Sequence, residues 1–490
     1  VMKKLLTILF IGITVVAQSQ TKIDTIGINK LNGALKALAV DEDLKHANWS
    51  FCITDPQTGK VLAAHESEKS LVPASSQKVI TTIAGLNLVG ADYTYKTYIE
   101  YDGVIGADSV LKGNLYVRGT GDPTLGSERL DKMLRYDSLM VTWAKLIKQK
   151  GINQITGKII ADASVFEDYA TPGSWNWDDI GQYYGAGSYG LNIFENTFTL
   201  YYSSTSSTCR VDSMFPKIED LTVWNDVKVG GGGDEAYIYG APDNYYRYVT
   251  GTIPVNRKAY TVDGSMPDPP LFLALELKKA LINNGVKVDQ QATTVYAMKR
   301  EKLVVNNERK NLYTHTSAPL SDVVYHTNQK SNNLYAETIL KTIGKKQLND
   351  GSRESGTKAV TTYYKNKGID LAGMNIEDGS GLSRMNVFTT KQMCSILNME
   401  MKEPTFEQFK KSLPIAGKSG TLTTVADNTV AAGKVFAKSG SMYKVRSYSG
   451  YVQTKSGELL SFCVIVNNYT CGSVEIKTKL EKIMVLMAGL

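Results

Sequence analysis

The chain has 490 residues, 42% hydrophobic and 21% charged, with a formal charge of +7. That is too long for one simple core, so two or three domains are expected, and the composition is that of a soluble globular protein. No dense Lys/Arg cluster is interleaved with aromatics, which argues against nucleic acid as a partner. The histidines (His46, His65, His315, His326) form no HExxH, and no Cys/His cluster has zinc-ligand spacing, which argues against a zinc hydrolase. The five cysteines are widely spaced and odd in number, which favours buried thiols over a disulfide framework, with one bridge left open.

Met2-Lys3-Lys4, an apolar stretch over 5–17 and the small residues Ala17 and Ser19 read as an export signal covering residues 1–19. The alternative is a retained anchor. No later segment is long and apolar enough to cross a bilayer, so no stable span is expected in the mature form. Residues 28–38 carry apolar positions at helical spacing. The alternating run 49–54 ends in the turn cluster Asp55-Pro56-Gln57-Thr58-Gly59, and 61–64 returns as a second strand.

Ser75-Ser76-Gln77-Lys78 follows Pro73-Ala74 and opens the apolar run 79–89. If this run is a helix, Ser75 and Lys78 are one turn apart on one face. An alcohol needs a base within hydrogen-bond reach to act as a nucleophile. A desolvated lysine can lose its proton and supply one. Ser19, Ser109, Ser355 and Ser441 also have Lys three residues on, so position 75 is distinguished by its apolar helix and by companions further along.

From about 98 to 311 the texture becomes short alternating strands, such as 115–118 and 198–202, between Gly-, Asn- and Asp-rich turns, with abundant tyrosine. This reads as a mostly-β insertion. From 312 helices return at 320–342, with a break near Gln329-Lys330, and at 357–367 and 390–403. Strands follow at 434–438, 447–452 and 459–466, and an amphipathic helix at 474–487 closes the order. The whole suggests an antiparallel sheet packed between helices, an α/β (α+β) fold.

Ser331-Asn332-Asn333 falls at the helix break. Its hydroxyl can relay a proton and its amide can bridge a carbonyl and an ammonium, although helix capping explains the same residue types. Lys-Ser-Gly occurs at 418, 438 and 455, and the last sits in a hairpin turn. Lys438-Ser439-Gly440-Ser441 follows a strand, where the lysine can hold a carboxylate and a following N–H can face an oxyanion. Lys418-Ser419-Gly420 is the alternative. Gly185-Ala186-Gly187-Ser188-Tyr189-Gly190 reads G-x-G-x-x-G but lacks a preceding apolar strand. Gly417-Lys418-Ser419 lacks the earlier glycine of a P-loop.

Taken in order, S-x-x-K, S-x-N and K-S-G match the pattern of penicillin-binding proteins and serine β-lactamases. Gly119-Thr120-Gly121-Asp122-Pro123-Thr124-Leu125, Trp175-Asn176-Trp177-Asp178-Asp179 with Tyr183-Tyr184-Gly185-Ala186, and Asp378-Gly379-Ser380-Gly381-Leu382-Ser383-Arg384 extend the likeness. Over nearly the whole mature chain it resembles the D-alanyl-D-alanine carboxypeptidase/endopeptidase family, the class C low-molecular-mass penicillin-binding proteins of peptidase family S13. The long gap between Ser75 and Ser331 fits that family and not a β-lactamase.

The resemblance implies a penicillin-binding-protein/serine β-lactamase-like transpeptidase domain in two parts, 20–97 and 312–490, interrupted by the insertion 98–311. It implies a periplasmic enzyme acting on peptidoglycan stem peptides and acylated by β-lactam antibiotics. It implies catalysis by Ser75, Lys78 and Ser331, with substrate held by Asn333, Lys438, Ser439, Gly440 and Ser441. Asp178 and Arg384 would grip a diaminopimelate side chain, a structural salt bridge or loop cap being the other explanation. No metal or organic cofactor is implied. Open alternatives are a non-catalytic wall-binding protein on the same fold and a serine β-lactamase.

Overall fold

A computed structural model describes residues 24–130, 133–231, 233 and 235–490; the export signal read at 1–19 lies outside them. A five-stranded antiparallel sheet organises the first and last parts of the chain. Its order is Val435–Met442, Val445–Gln453, Leu459–Asn467, Asn48–Thr54, Val61–His65, so the N-terminal hairpin completes a sheet begun by the C-terminal strands. The strand Asn48–Thr54 pairs Cys52 with Cys463 and Ile53 with Phe462. The inner strand Leu459–Asn467 is buried along almost its whole length, as a sheet covered on both faces requires.

One face packs on helices Thr25–Ala39 and Ser473–Ala488, where Leu31, Leu35, Ile476 and Leu480 meet Phe51, Phe462 and Val464. The other face receives Thr390–Glu400, whose Met393 and Leu397 lie over Tyr451 and Ile465. Behind that helix stand Lys78–Leu88, Leu320–Lys330 and Asn333–Leu348. Each buried Leu or Ile here contributes about 1.5–3 kcal/mol of hydrophobic stabilisation. The sheet between helices is the architecture the sequence suggested.

The chain leaves this body along Thr94–Tyr101 and returns along Lys310–Pro319, and these strands are antiparallel neighbours. They belong to a second five-stranded sheet with Leu115–Gly119, Ile159–Asp162 and Thr293–Thr294. The same excursion holds a four-stranded sheet and two three-stranded sheets. The excursion also carries helices Tyr136–Gln149 and Pro269–Asn283, which the alternation of its strands obscured in sequence. Trp143 and Ile147 from the first, with Leu273 and Leu277 from the second, share its core. All five cysteines are unpaired.

Candidate active site

Ser75 lies in a 3-10 turn, Ala74–Gln77, that runs into the helix Lys78–Leu88. The expected helix thus begins three residues later than the nucleophile, yet the tighter turn keeps Ser75 and Lys78 together: Lys78 Nζ donates to Ser75 Oγ at 3.0 Å. Ala74, wholly buried, sits at φ +48, a left-handed conformation costing a non-glycine residue about 1–3 kcal/mol. Its neighbours hold it there. The Pro73 carbonyl accepts from Ser447 Oγ at 2.5 Å and Ser76 Oγ at 2.9 Å. Gly381, at φ +83, passes so close that a Cβ would stand 2.0 Å from the Ala74 oxygen.

The Lys78 amine is fully buried and also donates to Asn333 Oδ1 at 2.6 Å and to the Ser380 carbonyl at 2.7 Å. Burial lowers its pKa to about 7, against the opposing fields of Asp378 and Glu337. The Ser380 carbonyl is aimed by Glu337, whose carboxylate accepts from the N–H groups of Gly379 at 3.2 Å and Ser380 at 2.8 Å. Burial, and then the Asp378 charge, push the Glu337 carboxyl well up. Asp378 accepts from Gly381 N, Ser383 N and Asn386 Nδ2 at 2.7–2.8 Å, and from Trp175 Nε1 of the excursion at 2.9 Å.

Asn332 caps the helix Asn333–Leu348, accepting from Tyr335 N at 3.1 Å. Capping therefore falls to the middle residue of Ser331-Asn332-Asn333. Asn333 is left to face Lys78, and its Nδ2 donates to the Tyr184 carbonyl at 2.8 Å. Ser331, at φ +57 past the end of Leu320–Lys330, lines the same cleft as Ser75.

Lys438, Ser439, Gly440 and Ser441 all lie on the edge strand Val435–Met442. Gly440 is pressed against the nucleophile turn: a Cβ there would stand 2.5 Å from the Pro73 oxygen and 2.9 Å from Ser75 N. Lys438 is buried beside Lys78; desolvation, then the Lys78 charge, drive its pKa well down, and its Nζ donates to the Ser439 carbonyl at 2.7 Å. Ser439 Oγ donates to Thr421 Oγ1 at 2.7 Å. Lys418 instead packs along Gly433 in a neighbouring turn whose Ser419 Oγ accepts from Ile415 N.

The cleft, about 780 Å³, contains Ser75, Ser331, Asn333 and Ser441 together with Asp178 and Arg384. Asp178 stands in the short helix Trp177–Ile180. Next to it Asp179 is pushed up by burial, partly offset by Tyr184 and Arg384. Among the described residues no cluster of His, Cys, Asp and Glu could hold a metal ion, and no helix is long and apolar enough to cross a membrane. Reading the motifs missed Glu337, Asp378 and the Ser380 carbonyl as partners of Lys78. Glu337 carried a signal, being one turn beyond Asn333 on an apolar helix; a backbone carbonyl carries none.

An antiparallel sheet between helices, with a serine–lysine turn set against its edge strand, defines the penicillin-recognising class of serine acyltransferases. Within that class the chain belongs to the D-Ala-D-Ala carboxypeptidase 3 (S13) family, whose profile matches residues 31–490. It is 30% identical over 499 residues to a D-alanyl-D-alanine carboxypeptidase of Actinomadura sp. (strain R39), covering 95% of this chain and 86% of that one. It is 25% identical over 446 residues to D-alanyl-D-alanine carboxypeptidase DacB of Haemophilus influenzae, covering 88% of each. The crystal structure of penicillin binding protein 4 (dacB) from H. influenzae superposes with a TM-score of 0.76 at 21% identity, covering 93% of this chain and 97% of that one. Family membership makes the chain a serine-type D-Ala-D-Ala carboxypeptidase.

Proposed function

We propose that the cleft cleaves peptidoglycan stem peptides through an acyl-enzyme on Ser75, with Lys78 as its base. The observation that carries this reading is the 3.0 Å contact between Ser75 Oγ and a buried lysine whose pKa is near 7. A substrate ending in D-Ala-D-Ala lies along the edge strand 435–442. Lys438, with the hydroxyls of Ser439 and Ser441, holds its terminal carboxylate. That anion restores the charge which burial disfavours on Lys438.

Ser75 Oγ attacks the penultimate carbonyl while its proton passes to Lys78 Nζ. The N–H groups of Ser75 and Ser441 stabilise the oxyanion, at about 3 kcal/mol per donor. The C–N bond then breaks, and Ser331 relays the proton taken up by Lys78 to the departing D-alanine amine. Asn333 orients Lys78 and the substrate amide. Water adds to the ester as Lys78 takes its proton, the Ser75 C–O bond breaks with that proton returned to Ser75 Oγ, and the shortened peptide leaves.

β-Lactams acylate the same oxygen and release slowly. A β-lactam complex of the H. influenzae relative, with a TM-score of 0.72 at 21% identity, supports this by fold. Asp178 and Arg384 grip the amino and carboxylate ends of a diaminopimelate side chain. The basic-then-apolar stretch over 1–19 supports export, and a peptidoglycan substrate supports a periplasmic location. The catalytic unit comprises 20–97 and 312–490, and 98–311 is an insertion. The ladder between Thr94–Tyr101 and Lys310–Pro319 supports that division.

Replacing Ser75 with Ala tests the scheme. Labelling by a fluorescent penicillin and D-alanine release from a muramyl pentapeptide should both vanish. Labelling that persists at another residue overturns the assignment.

A further inference from the structure

The excursion carries an aromatic surface that the reaction does not use. The three-stranded sheet orders Thr222–Val229, Tyr246–Ile253, Glu235–Tyr239. Successive residues of a strand point to opposite faces. Ala236, Ile238, Val249 and Val227 are buried in the core of the excursion. The other face should therefore be polar. It instead presents Trp224 at 72% exposure, Tyr246 at 69%, Tyr237 at 46% and Tyr248 at 40%. An uncovered set of large aromatics of this kind marks a contact surface.

The rings form a ladder. The register sets Trp224 beside Tyr248 and Tyr248 beside Tyr239. Ring centroids are 6.1 Å apart from Trp224 to Tyr248, 6.2 Å from Tyr248 to Tyr239, and 6.4 Å from Tyr239 to Trp177, itself 55% exposed. Trp224 meets Tyr248 edge to face at 79°, whereas the last two steps tilt by only 34° and 33°. The ladder ends at the cleft: Trp177 adjoins Asp178, and Tyr237, on the same strand face as Tyr239, lines the cleft wall.

We propose that this ladder is a stacking platform for the glycan strand, a polymer of amino-sugar pyranoses, whose pendant peptides the cleft processes. The inference rests on the peptidoglycan reading of the cleft. Pyranose rings present apolar C–H faces that stack on aromatic rings, and each step of the ladder is comparable with one sugar unit. Tyrosine adds hydroxyls for the sugar's polar edges, and Tyr248 OH already donates to Asp226 at 3.2 Å. Continuity with the cleft decides the occupant, because a polymer laid on the rings would carry its peptides past Trp177 towards Ser75. Asp226 and Glu235 on the outward strand face, with Asp178 beside Trp177, outnumber Lys228 on that face and disfavour an anionic lipid surface.

The test uses the whole protein and peptide-free glycan strands in a pelleting assay. Wild type should be retained, and retention should fall about tenfold in the Trp224→Ala, Tyr248→Ala double variant. Trp224→Phe, which keeps an aromatic face, should be retained. Penicillin labelling at Ser75 and D-alanine release from a soluble pentapeptide should stay at wild-type level in both, while release from intact sacculi should fall in the double variant. Those soluble assays report on the cleft chemistry and on folding, so failure of that reading is separable from failure of this one. Absence of wild-type retention, or equal retention of the double variant, overturns the proposal. Retention on anionic vesicles in place of glycan, or self-association abolished by Trp224→Ala without glycan retention, overturns it too.

Discussion

Replacing Gly440 with Ala probes how closely the edge strand holds the nucleophile turn. The added Cβ would stand 2.3 Å from Ser447 Oγ, 2.5 Å from the Pro73 oxygen and 2.9 Å from Ser75 N. A carbon needs about 3.3 Å from a carbonyl oxygen, so strand and turn must separate by about 0.8 Å. The Ser447 hydroxyl can rotate away; the Pro73 oxygen cannot, because it belongs to the backbone that sets Ser75. Misplacement of about 1 Å at a reacting group costs on the order of 10²-fold in rate, or about 2.7 kcal/mol of barrier. Overpacking should also cost about 1–3 kcal/mol of stability. The assay is the second-order rate of Ser75 acylation by a fluorescent penicillin, measured beside thermal unfolding. Adding Ser447→Ala should recover part of the stability and little of the rate. A folded Gly440→Ala protein that acylates at the wild-type rate would refute the reasoning.

Lys78 must be neutral to take the Ser75 proton. Its pKa is lowered to about 7, so acylation should rise with pH and be half-maximal near that value; a flat profile through neutrality would sink the base assignment. Lys78→Arg keeps the charge at all accessible pH and should lose acylation by about 10²–10⁴-fold. Glu337→Gln removes a negative field that favours charged Lys78, so the acid limb of the profile should move to lower pH, and an unmoved limb would separate Glu337 from the base. Arg384→Ala should reduce turnover of a diaminopimelate-containing peptide far more than turnover of a neutral ester; equal losses would favour a purely structural arginine.

Periodicity made the central body legible because its elements are long and one-sided. The strands 447–452 and 459–466 and the helix 474–487 lie within the observed Val445–Gln453, Leu459–Asn467 and Ser473–Ala488. The strand 434–438 proved longer, running through Lys438-Ser439-Gly440-Ser441 to Met442. Its later residues are small and polar because they face a cleft and a turn, which hides the alternation. The helix Tyr136–Gln149 was lost among strands, although Leu139, Met140, Trp143 and Ile147 mark its buried side. At the site, the motif residues carry reactive or polar side chains that sequence alone can single out. What aims them did not: the Ser380 and Tyr184 carbonyls act through backbone atoms that any residue possesses, and the left-handed Ala74 obeys no local preference.

The pairing of Lys78 with Lys438 explains why one pocket needs two lysines that cannot both be charged cheaply. Each is fully buried, and the field of Lys78 helps depress Lys438. The carboxyl groups of Asp378 and Glu337 act on Lys78, where their charged forms favour its protonation. In the proposed scheme a substrate carboxylate at the edge strand would reverse the balance, because it would favour charge on Lys438. A proton held by Lys438 in turn raises the cost of a second on Lys78. In the proposed scheme the free C-terminus of the peptide would do more than anchor it: by favouring the proton on Lys438, it would leave neutral the lysine that touches Ser75. On that scheme, specificity for a terminal carboxylate and activation of the nucleophile would follow from a single electrostatic coupling.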